Sequence, residues 1–349
     1  MKNVITVGFT YDLRDDYVGL GLSEEELGEF DRLDTIIALE KALQKNGFIV
    51  ERIGNIKALV RALAAGKSWD IVFNVCEGLA GIGREAQVPA LLEAYGIPSV
   101  FSPSEVMVVT MDKALAKQVV REHGIATVPY KVIRNARDLE HFDFEEMPGP
   151  LFAKPLAEGT GKGIHAASVI SDHDKEQLER VCIDIIERFK QPALVETYLP
   201  GRELTVGIVG NGEDATVVGV LEAIILDGAE AGGQSFYNKE NCEEVIEYRL
   251  VDDAVAARAA STALASWRAL GCLDAGRVDL RCDASGEPNF LEVNPLAGLH
   301  PSHSDLPILA ALNGIDHVSL IGKIMEAALL RYDLKMPEGV SVYADSCSL

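Results

Sequence analysis

Short apolar runs alternate with segments of helical periodicity over the first hundred residues. Residues 3–9, 48–53 and 70–75 are rich in Val, Ile and Phe and predict buried strands. Residues 31–46 and 56–65 lie between them and place their apolar side chains at helical spacing. Strands that alternate with helices predict βαβ units, and therefore a parallel sheet at the N-terminal end of the chain.

Beyond this region the predicted elements are more varied. Helices are predicted at 85–95, 111–124, 174–190, 252–270 and 317–331, and strands at 130–133, 151–154, 194–197, 203–210, 216–226, 276–282 and 289–293. The last two strands are joined by the short turn 284–288 and predict a hairpin. The whole pattern predicts an α/β (α+β) chain with an N-terminal parallel-sheet domain.

Composition narrows the class of protein. The 349 residues are 48% hydrophobic, which is enough for a large core, and a typical domain size of about 150 residues suggests two or three domains. A formal charge of −22 argues against nucleic acid or a membrane as the main partner, because both are repelled by an acidic surface. The six cysteines lack CxxC spacing, which favours reduced thiols in a cytoplasmic protein. Neither a signal peptide nor an apolar run of about 20 residues is predicted.

Two glycine-rich turns follow predicted strands. The turn 76–84 is a candidate substrate loop, although a plain βα connection has the same pattern. The turn 158–163 follows Lys154, and its glycines allow backbone N–H groups to approach a phosphate closely. Lys113 and Lys154 would supply point charges for that phosphate. The turn does not match a P-loop, and an ordinary loop remains the alternative.

Glu196 and Glu203 flank the sharp turn at 200–201. Their carboxylates are candidates for hydrogen bonds near an adenine amino group and to ribose hydroxyls. A surface hairpin with solvated charges is the alternative.

The predicted hairpin near residue 285 carries four polar side chains at strand spacing. Arg277 and Asp279 share one face of the first strand, and Glu292 and Asn294 share one face of the second. Two carboxylates and an amide suit Mg²⁺, which prefers oxygen ligands and shares them with nucleotide phosphates. Arg277 beside them is suited to a phosphate or a carboxylate. The pattern therefore predicts a magnesium and phosphate site.

The turn 298–304 follows this hairpin. Its backbone N–H groups and hydroxyls could form an oxyanion site and hold a substrate carboxylate. His300 and His303 are acid–base candidates, although loop histidines more often only form hydrogen bonds.

In this order and spacing, these motifs resemble the D-alanine–D-alanine ligase branch of the ATP-grasp superfamily. The resemblance covers nearly the whole chain and is strongest in the stretches REAQVPALLEAYGIPSVFS with MDKALAKQVVREHGI, LFAKPLAEGTGKGI, LVETYLPGRELTVGIVG and GRVDLRCDASGEPNFLEVNPLAGLHPSHSDLP. It implies three domains, 1–103, 104–200 and 201–349, with ATP held between the second and third. It also implies a homodimer.

The resemblance further implies roles for individual residues. Those that would bind ATP are Lys113, Lys154, Glu158, Gly159, Thr160, Gly161, Gly163, Glu196, Tyr198, Leu199, Glu203 and Phe290, with Tyr237 and Lys239 on a loop that closes over the phosphates. Those that would bind Mg²⁺, for which Mn²⁺ can substitute, are Asp279, Glu292 and Asn294. Arg277 and the Gly298 amide would stabilise a tetrahedral intermediate, and Ser304 would hold the carboxylate of the attacking amino acid.

The first-substrate region departs from the family pattern. True D-alanine–D-alanine ligases carry a glutamate after the first strand that holds the first D-alanine's ammonium, and a histidine after the third strand. Here the stretch after the first strand, residues 10–16, reads TYDLRDD and lacks that glutamate. After the third strand, Glu77 stands where the family has its histidine. We therefore predict a different acyl donor, with Glu77, Arg84 and Glu85 in its pocket and Asp15 or Asp16 near an ammonium.

The family resemblance leaves several reactions open. The favoured hypothesis is an amino-acid or peptide ligase that forms an amide through an acyl phosphate. The alternatives are an authentic D-alanine–D-alanine ligase, another ATP-grasp reaction such as a kinase or a carboxylate–thiol ligase, and a non-catalytic nucleotide-binding protein.

Overall fold

A parallel three-stranded sheet begins the chain. The structure is a computed structural model that describes residues 4–226, 235, 237–238 and 241–337. Strands β1 (Thr6–Tyr11), β2 (Ile49–Gly54) and β3 (Ile71–Val75) pair in the order β2-β1-β3, all parallel. Helices α2 (Leu33–Lys45) and α3 (Ile56–Ala64) form the crossovers, as the periodicity predicts. A short helix, α1 (Glu24–Leu27), lies in the long connection before α2.

The second sheet is antiparallel. It has the order β4-β7-β5-β6, with β4 at Tyr130–Ile133, β5 at Leu151–Pro155, β6 at Val169–Ile170 and β7 at Ala193–Thr197. Helix α7 (Ala136–Glu140) follows β4, and α8 (Lys175–Phe189) covers the sheet. The apolar stripe of α8, which includes Leu178 and Ile185, packs against β5 and β7 because burying it removes apolar surface from water.

The third sheet has five antiparallel strands in the order β10-β9-β8-β11-β12. The strands are β8 (Glu203–Val209), β9 (Thr216–Ile225), β10 (Ile246–Leu250), β11 (Ala275–Cys282) and β12 (Pro288–Asn294). Helix α9 (Cys242–Val245) precedes β10, and α10 (Ala254–Ala269) covers one face. The predicted hairpin near residue 285 is confirmed by the pairing of β11 with β12.

The helices that connect the sheets pack on more than one core. Helix α4 (Gln87–Ala94) shares a hydrophobic core with β3 of the first sheet. Helices α5 (Ser104–Met111) and α6 (Lys113–Glu122) instead contact β12 of the third sheet. Helices α11 (Asp305–Leu312) and α12 (His317–Arg331) extend the first core, where α12 contacts α2. The three-domain division at residues 103 and 200 therefore stays a prediction.

The structure differs from the predicted helices at two places. The predicted helix 111–124 begins instead at Lys113, because Asp112 is extended and its carboxylate accepts hydrogen bonds from Ala114 N and Leu115 N. Helix α11 is apolar nearly all round and lacks the contrast between faces on which periodicity depends. Within the described ranges no single helix is long and apolar enough to cross a membrane; α11 and α12 meet that criterion only together, as a pair bent by 111°.

Candidate active site

Two adjoining cavities open where the three sheets meet. The smaller, of about 90 Å³, lies between the second and third sheets and is lined by residues of β5, β7, β8, β11 and β12. The larger, of about 220 Å³, extends from β12 toward the first sheet. Lys113, Glu158 and Glu292 line both cavities. The two cavities therefore share one wall, so ligands bound in them would meet there.

Buried lysines and glutamates line the back of the smaller cavity. Lys154 Nζ lies 3.2 Å from a carboxylate oxygen of Glu196 and 3.3 Å from one of Glu292. Lys113 Nζ lies 3.7 Å from Glu292 and donates a hydrogen bond to the Glu158 carbonyl. Burial opposes the charge on Lys154, but Glu196 and Glu292 outweigh it and raise the pKa of this lysine. The side chains of Lys113 and Lys154 therefore both line the smaller cavity, where their charges suit a phosphate.

Lys117 is a member of this network that sequence reasoning missed. Its side chain is fully buried, and its Nζ lies 2.7 Å from Glu196 Oε1 and 5.7 Å from the centre of the Phe290 ring. Burial lowers the pKa of Lys117 to about 8, even though Glu196 favours its charged form. The only sequence signal was a lysine one helical turn after Lys113, on an otherwise buried face.

The rim of the smaller cavity contains the residues predicted for the base and the ribose. Tyr198, Leu199 and Glu203 all line it. Arg281 Nη2 lies 3.2 Å from the Tyr198 hydroxyl, and Arg281 Nη1 lies 3.4 Å from a Glu203 oxygen. Arg281, which was not predicted, therefore links the two predicted positions.

The β11–β12 hairpin brings the predicted metal ligands together. Arg277 pairs with Asn294 and Asp279 pairs with Glu292 across the two strands. Asp279 accepts hydrogen bonds from Thr205 Oγ1 at 2.9 Å and Asn294 Nδ2 at 3.2 Å, and it forms a short ion pair with Arg277. The described residues contain no group of three His, Cys, Asp or Glu side chains that could hold a metal. Two carboxylates and an amide nevertheless fit Mg²⁺, which takes few protein ligands when phosphates supply the rest.

A bulge in the hairpin changes which residue faces the smaller cavity. Asp279 pairs with Glu292 but Leu280 pairs with Phe290, so Leu291 is the extra residue on β12. Leu291 and Glu292 both line the smaller cavity, whereas Phe290 is fully buried in the core below the third sheet. The structure therefore places Leu291, and not the predicted Phe290, against the smaller cavity.

The turn 158–163 lies between the two cavities. Lys162 N donates to the Gly159 carbonyl at 3.0 Å, and Thr160 and Gly161 both have positive φ, which defines a type I′ turn. Gly159 and Thr160 line the larger cavity, and Gly161 and Lys162 line the smaller one. Gly163 lines neither cavity: φ is +70°, and a Cβ atom there would lie 2.6 Å from Pro155. Its glycine is explained by close packing.

One end of the larger cavity contains Arg277, Gly298 and Ser304. A Cβ atom on Gly298 would lie 2.7 Å from Ser304 Oγ, so only glycine fits beside that hydroxyl. Ser304 Oγ accepts a hydrogen bond from His300 N at 3.0 Å. Asp305, which was not predicted, also lines this end, and its carboxylate lies 3.4 Å from Arg277 Nη1.

The larger cavity also contains a glutamate that sequence reasoning missed. Glu29 lies just before α2 and lines the larger cavity. Arg84 Nη2 donates to it at 2.9 Å, Lys162 Nζ lies 2.9 Å away, and Gly159 N donates at 3.1 Å. Burial opposes ionisation, but Arg84 and Lys162 outweigh it and keep the pKa of Glu29 below its usual range. The predicted Asp15 is exposed and lines neither of the two cavities, and the same holds for Asp16.

Three more carboxyl groups line the larger cavity, those of Asp31, Glu77 and Glu85. None of the three side chains forms a hydrogen bond or an ion pair with another described residue. Burial raises the pKa of Asp31 and of Glu85 to about 7, and raises that of Glu77 above its ordinary value. Tyr248 of β10 lines the cavity as well. Tyr237 is 48% exposed, and Lys239 lies outside the described residues.

The chain matches the family described as D-ala D-ala ligase C-terminus over residues 119–326. It belongs to the D-alanine–D-alanine ligase family. A D-alanine–D-alanine ligase of Bordetella petrii is 31% identical over 274 residues, which cover 78% of this chain and 79% of that enzyme. An uncharacterized protein of Sinorhizobium fredii is 31% identical over 268 residues, 75% of each chain.

The solved structures of the family share the fold. The D-alanine–D-alanine ligase of Bacillus anthracis complexed with ATP superposes with a TM-score of 0.71 at 21% identity, covering 95% of this chain and 99% of that one. The predicted ATP-grasp fold is thereby confirmed. The chain is an ATP- and Mg²⁺-dependent, ADP-forming ligase of carbon–nitrogen bonds.

Proposed function

We propose that this D-alanine–D-alanine ligase family member forms an amide between an amino acid or small peptide and an amine, with an acyl donor other than D-alanine. The donor carboxylate attacks the γ-phosphorus of ATP and ADP leaves. The amine nitrogen then attacks the acyl carbon, phosphate leaves, and the nitrogen loses a proton. We further propose that the enzyme acts as a cytoplasmic homodimer on small molecules.

The hydrogen bonds and ion pairs of Glu29 are the observation that supports an acyl donor other than D-alanine. In D-alanine–D-alanine ligases, as the resemblance implies, a glutamate directly after the first strand holds the ammonium of the first D-alanine. This chain lacks that glutamate, and Glu29, farther along the connection between β1 and α2, is a glutamate that lines the larger cavity. Here the Glu29 carboxylate is bound by Arg84, Lys162 and an amide, so little of its acceptor capacity is left for a ligand ammonium. A donor ammonium would instead meet Asp31, Glu77 and Glu85, whose carboxyl groups face the cavity.

The remaining roles follow the positions of the side chains. Lys113 and Lys154 would neutralise the phosphates, Tyr198 and Leu199 would contact the base, and Glu203 the ribose. Asp279, Glu292 and Asn294 would hold Mg²⁺, which supplies charge neutralisation on the phosphates when bound. Arg277 and the Gly298 amide would face the tetrahedral intermediate, where preorganised donors stabilise the developing charge. Ser304 would bind the carboxylate of the acceptor.

The test measures phosphate release from Mg·ATP over a panel of amino-acid and dipeptide pairs, with mass spectrometry of the products. We expect ADP, phosphate and an amide for some pair, and no product with D-alanine alone. Efficient formation of D-alanyl-D-alanine would refute the altered donor. A phosphorylated product without free phosphate would identify a kinase.

A further inference from the structure

Both ends of the turn 158–163 are attached to a segment far earlier in the chain. Gly163 N donates to Glu25 Oε1 at 2.7 Å, and Gly159 N donates to Glu29 Oε1 at 3.1 Å. The two carboxylates lie 138 and 130 residues before their partners. Helix α1 and the residues after it therefore bind the turn on both sides of its tip.

Glu25 also binds the end of helix α8. Arg188 Nη2 donates to Glu25 Oε2 at 3.0 Å, so the two oxygens of one carboxylate connect the turn with α8. A capping box between Ser23 and Glu26 fixes the start of α1, because each residue binds the other's backbone N–H. The position of the Glu25 side chain is thus defined from three directions.

These contacts leave only part of the turn's backbone available to a ligand. The N–H groups of Gly159 and Gly163 are bound by carboxylates, and that of Lys162 is bound within the turn. In the part of the chain that the structure describes, the N–H groups of Thr160 and Gly161 donate to no acceptor. Each of these two residues lines one of the cavities. The tip of the turn is therefore held with two free donors at the boundary between the cavities.

We propose that Glu25 is a positioning residue that holds the tip of this turn in the conformation that binds the phosphates of ATP. The inference rests on the proposed role of the turn in phosphate binding. Holding the turn in place before the nucleotide arrives lowers the ordering cost of binding. Glu25 acts only through the turn, so its loss should weaken binding of the phosphates and not of the nucleoside.

The test compares the variants Glu25→Ala, Glu25→Gln and Glu24→Ala in the full-length chain. Glu24 lies on the same short helix, is exposed and, among the described residues, forms no hydrogen bond or ion pair with the turn, so it is the matched control. The affinities for Mg·ATP and for adenosine are measured by calorimetry. Hydrogen exchange followed by mass spectrometry reports on the amides of residues 159–163.

We expect Glu25→Ala to weaken Mg·ATP binding about tenfold, to leave adenosine binding unchanged and to accelerate exchange in the turn. Glu25→Gln keeps an acceptor for Gly163 N and should lie between Glu25→Ala and the wild type. Unchanged exchange in Glu25→Ala, or equal losses for Mg·ATP and adenosine, would overturn the positioning role.

A separate variant distinguishes failure of the positioning role from failure of the site. Lys154→Ala removes a proposed phosphate contact directly. If Lys154→Ala weakens Mg·ATP binding while Glu25→Ala behaves like Glu24→Ala, the inference about Glu25 is wrong and the phosphate site stands. If Glu25→Ala accelerates exchange without affecting Mg·ATP affinity, the turn does not bind phosphate and the inference is again wrong.

Discussion

Lys117 Nζ lies 2.7 Å from Glu196 Oε1, and the two side chains are 0% and 3% exposed. A buried pair of this kind is costly to break, because removal of one partner leaves a charge without compensation. Glu196 also binds Lys154, so Lys117 sets the charge balance behind the predicted phosphate ligand. Through Glu196, Lys117 is therefore connected to Lys154, although Lys117 itself lines neither cavity.

Lys117→Met should destabilise the protein by about 3 kcal/mol, the usual cost of removing one partner of a buried ion pair. The measurement is the free energy of unfolding in urea. Lys131→Met is the control, since Lys131 pairs with Glu146 on the surface and should change stability by less than about 0.5 kcal/mol. Equal effects of the two substitutions would contradict the structural role of Lys117.

Glu292→Gln should abolish turnover, because it removes one of the two carboxylates that we propose as Mg²⁺ ligands. Glutamine retains the size of the side chain, so we expect the fold to persist. The assay is phosphate release as a function of Mg²⁺ concentration, with Glu287→Gln on the same hairpin as an exposed control. Near-normal activity of Glu292→Gln at ordinary Mg²⁺ concentrations would refute the metal assignment.

Lys154→Ala should weaken ATP affinity by at least about tenfold, since the buried cation that we propose for phosphate binding is lost. Equilibrium binding of Mg·ATP checks this expectation. Lys175→Ala, on the exposed surface of α8, is the control. Unchanged affinity of Lys154→Ala would mean that the lysine only balances the charges of Glu196 and Glu292.

Asp31 should make stability depend on pH. Burial and the neighbouring Asp12 and Asp34 raise its pKa from 3.8 to about 7, so the folded protein holds a proton that the unfolded chain releases. This contribution to stability is fully present below pH 3.8 and is lost as the pH rises to about 7.

The Asp31→Asn variant resembles the protonated form of Asp31 at every pH, because asparagine does not ionise. At pH 8 we therefore expect the variant to be more stable than the wild type by about 2 kcal/mol. This is about half the limit that the pKa change allows, because Asp31 is partly exposed and solvent screens its charge. At pH 4 the two should differ little. Urea unfolding across this range checks the sign, with the exposed Asp214→Asn as a control that should track the wild type. A stability gap that shrinks toward pH 8 would contradict the raised pKa.

Much of the fold, and the polar face of the β11–β12 hairpin, follows from local sequence pattern. The alternation of β11 places Arg277 and Asp279 on one face, and the structure pairs them with Asn294 and Glu292. Strand geometry alone decides which residues share a face, so this part of the prediction needed no tertiary information. The parallel pairing of β1, β2 and β3 likewise follows from the alternation of strands and helices.

Tertiary structure decided the contacts between distant segments. The bulge at Leu291 moved Phe290 into the core, because the register of β12 depends on its partner strand. Glu29 meets Arg84 across 55 residues and Glu25 meets Gly163 across 138, and no periodicity encodes such pairs. The sequence by itself determined most of the strands and helices, the family and the types of residue that we propose for nucleotide and metal binding. Which charges neutralise one another, and which carboxyl groups remain for a substrate, depends on packing between segments that local pattern does not constrain.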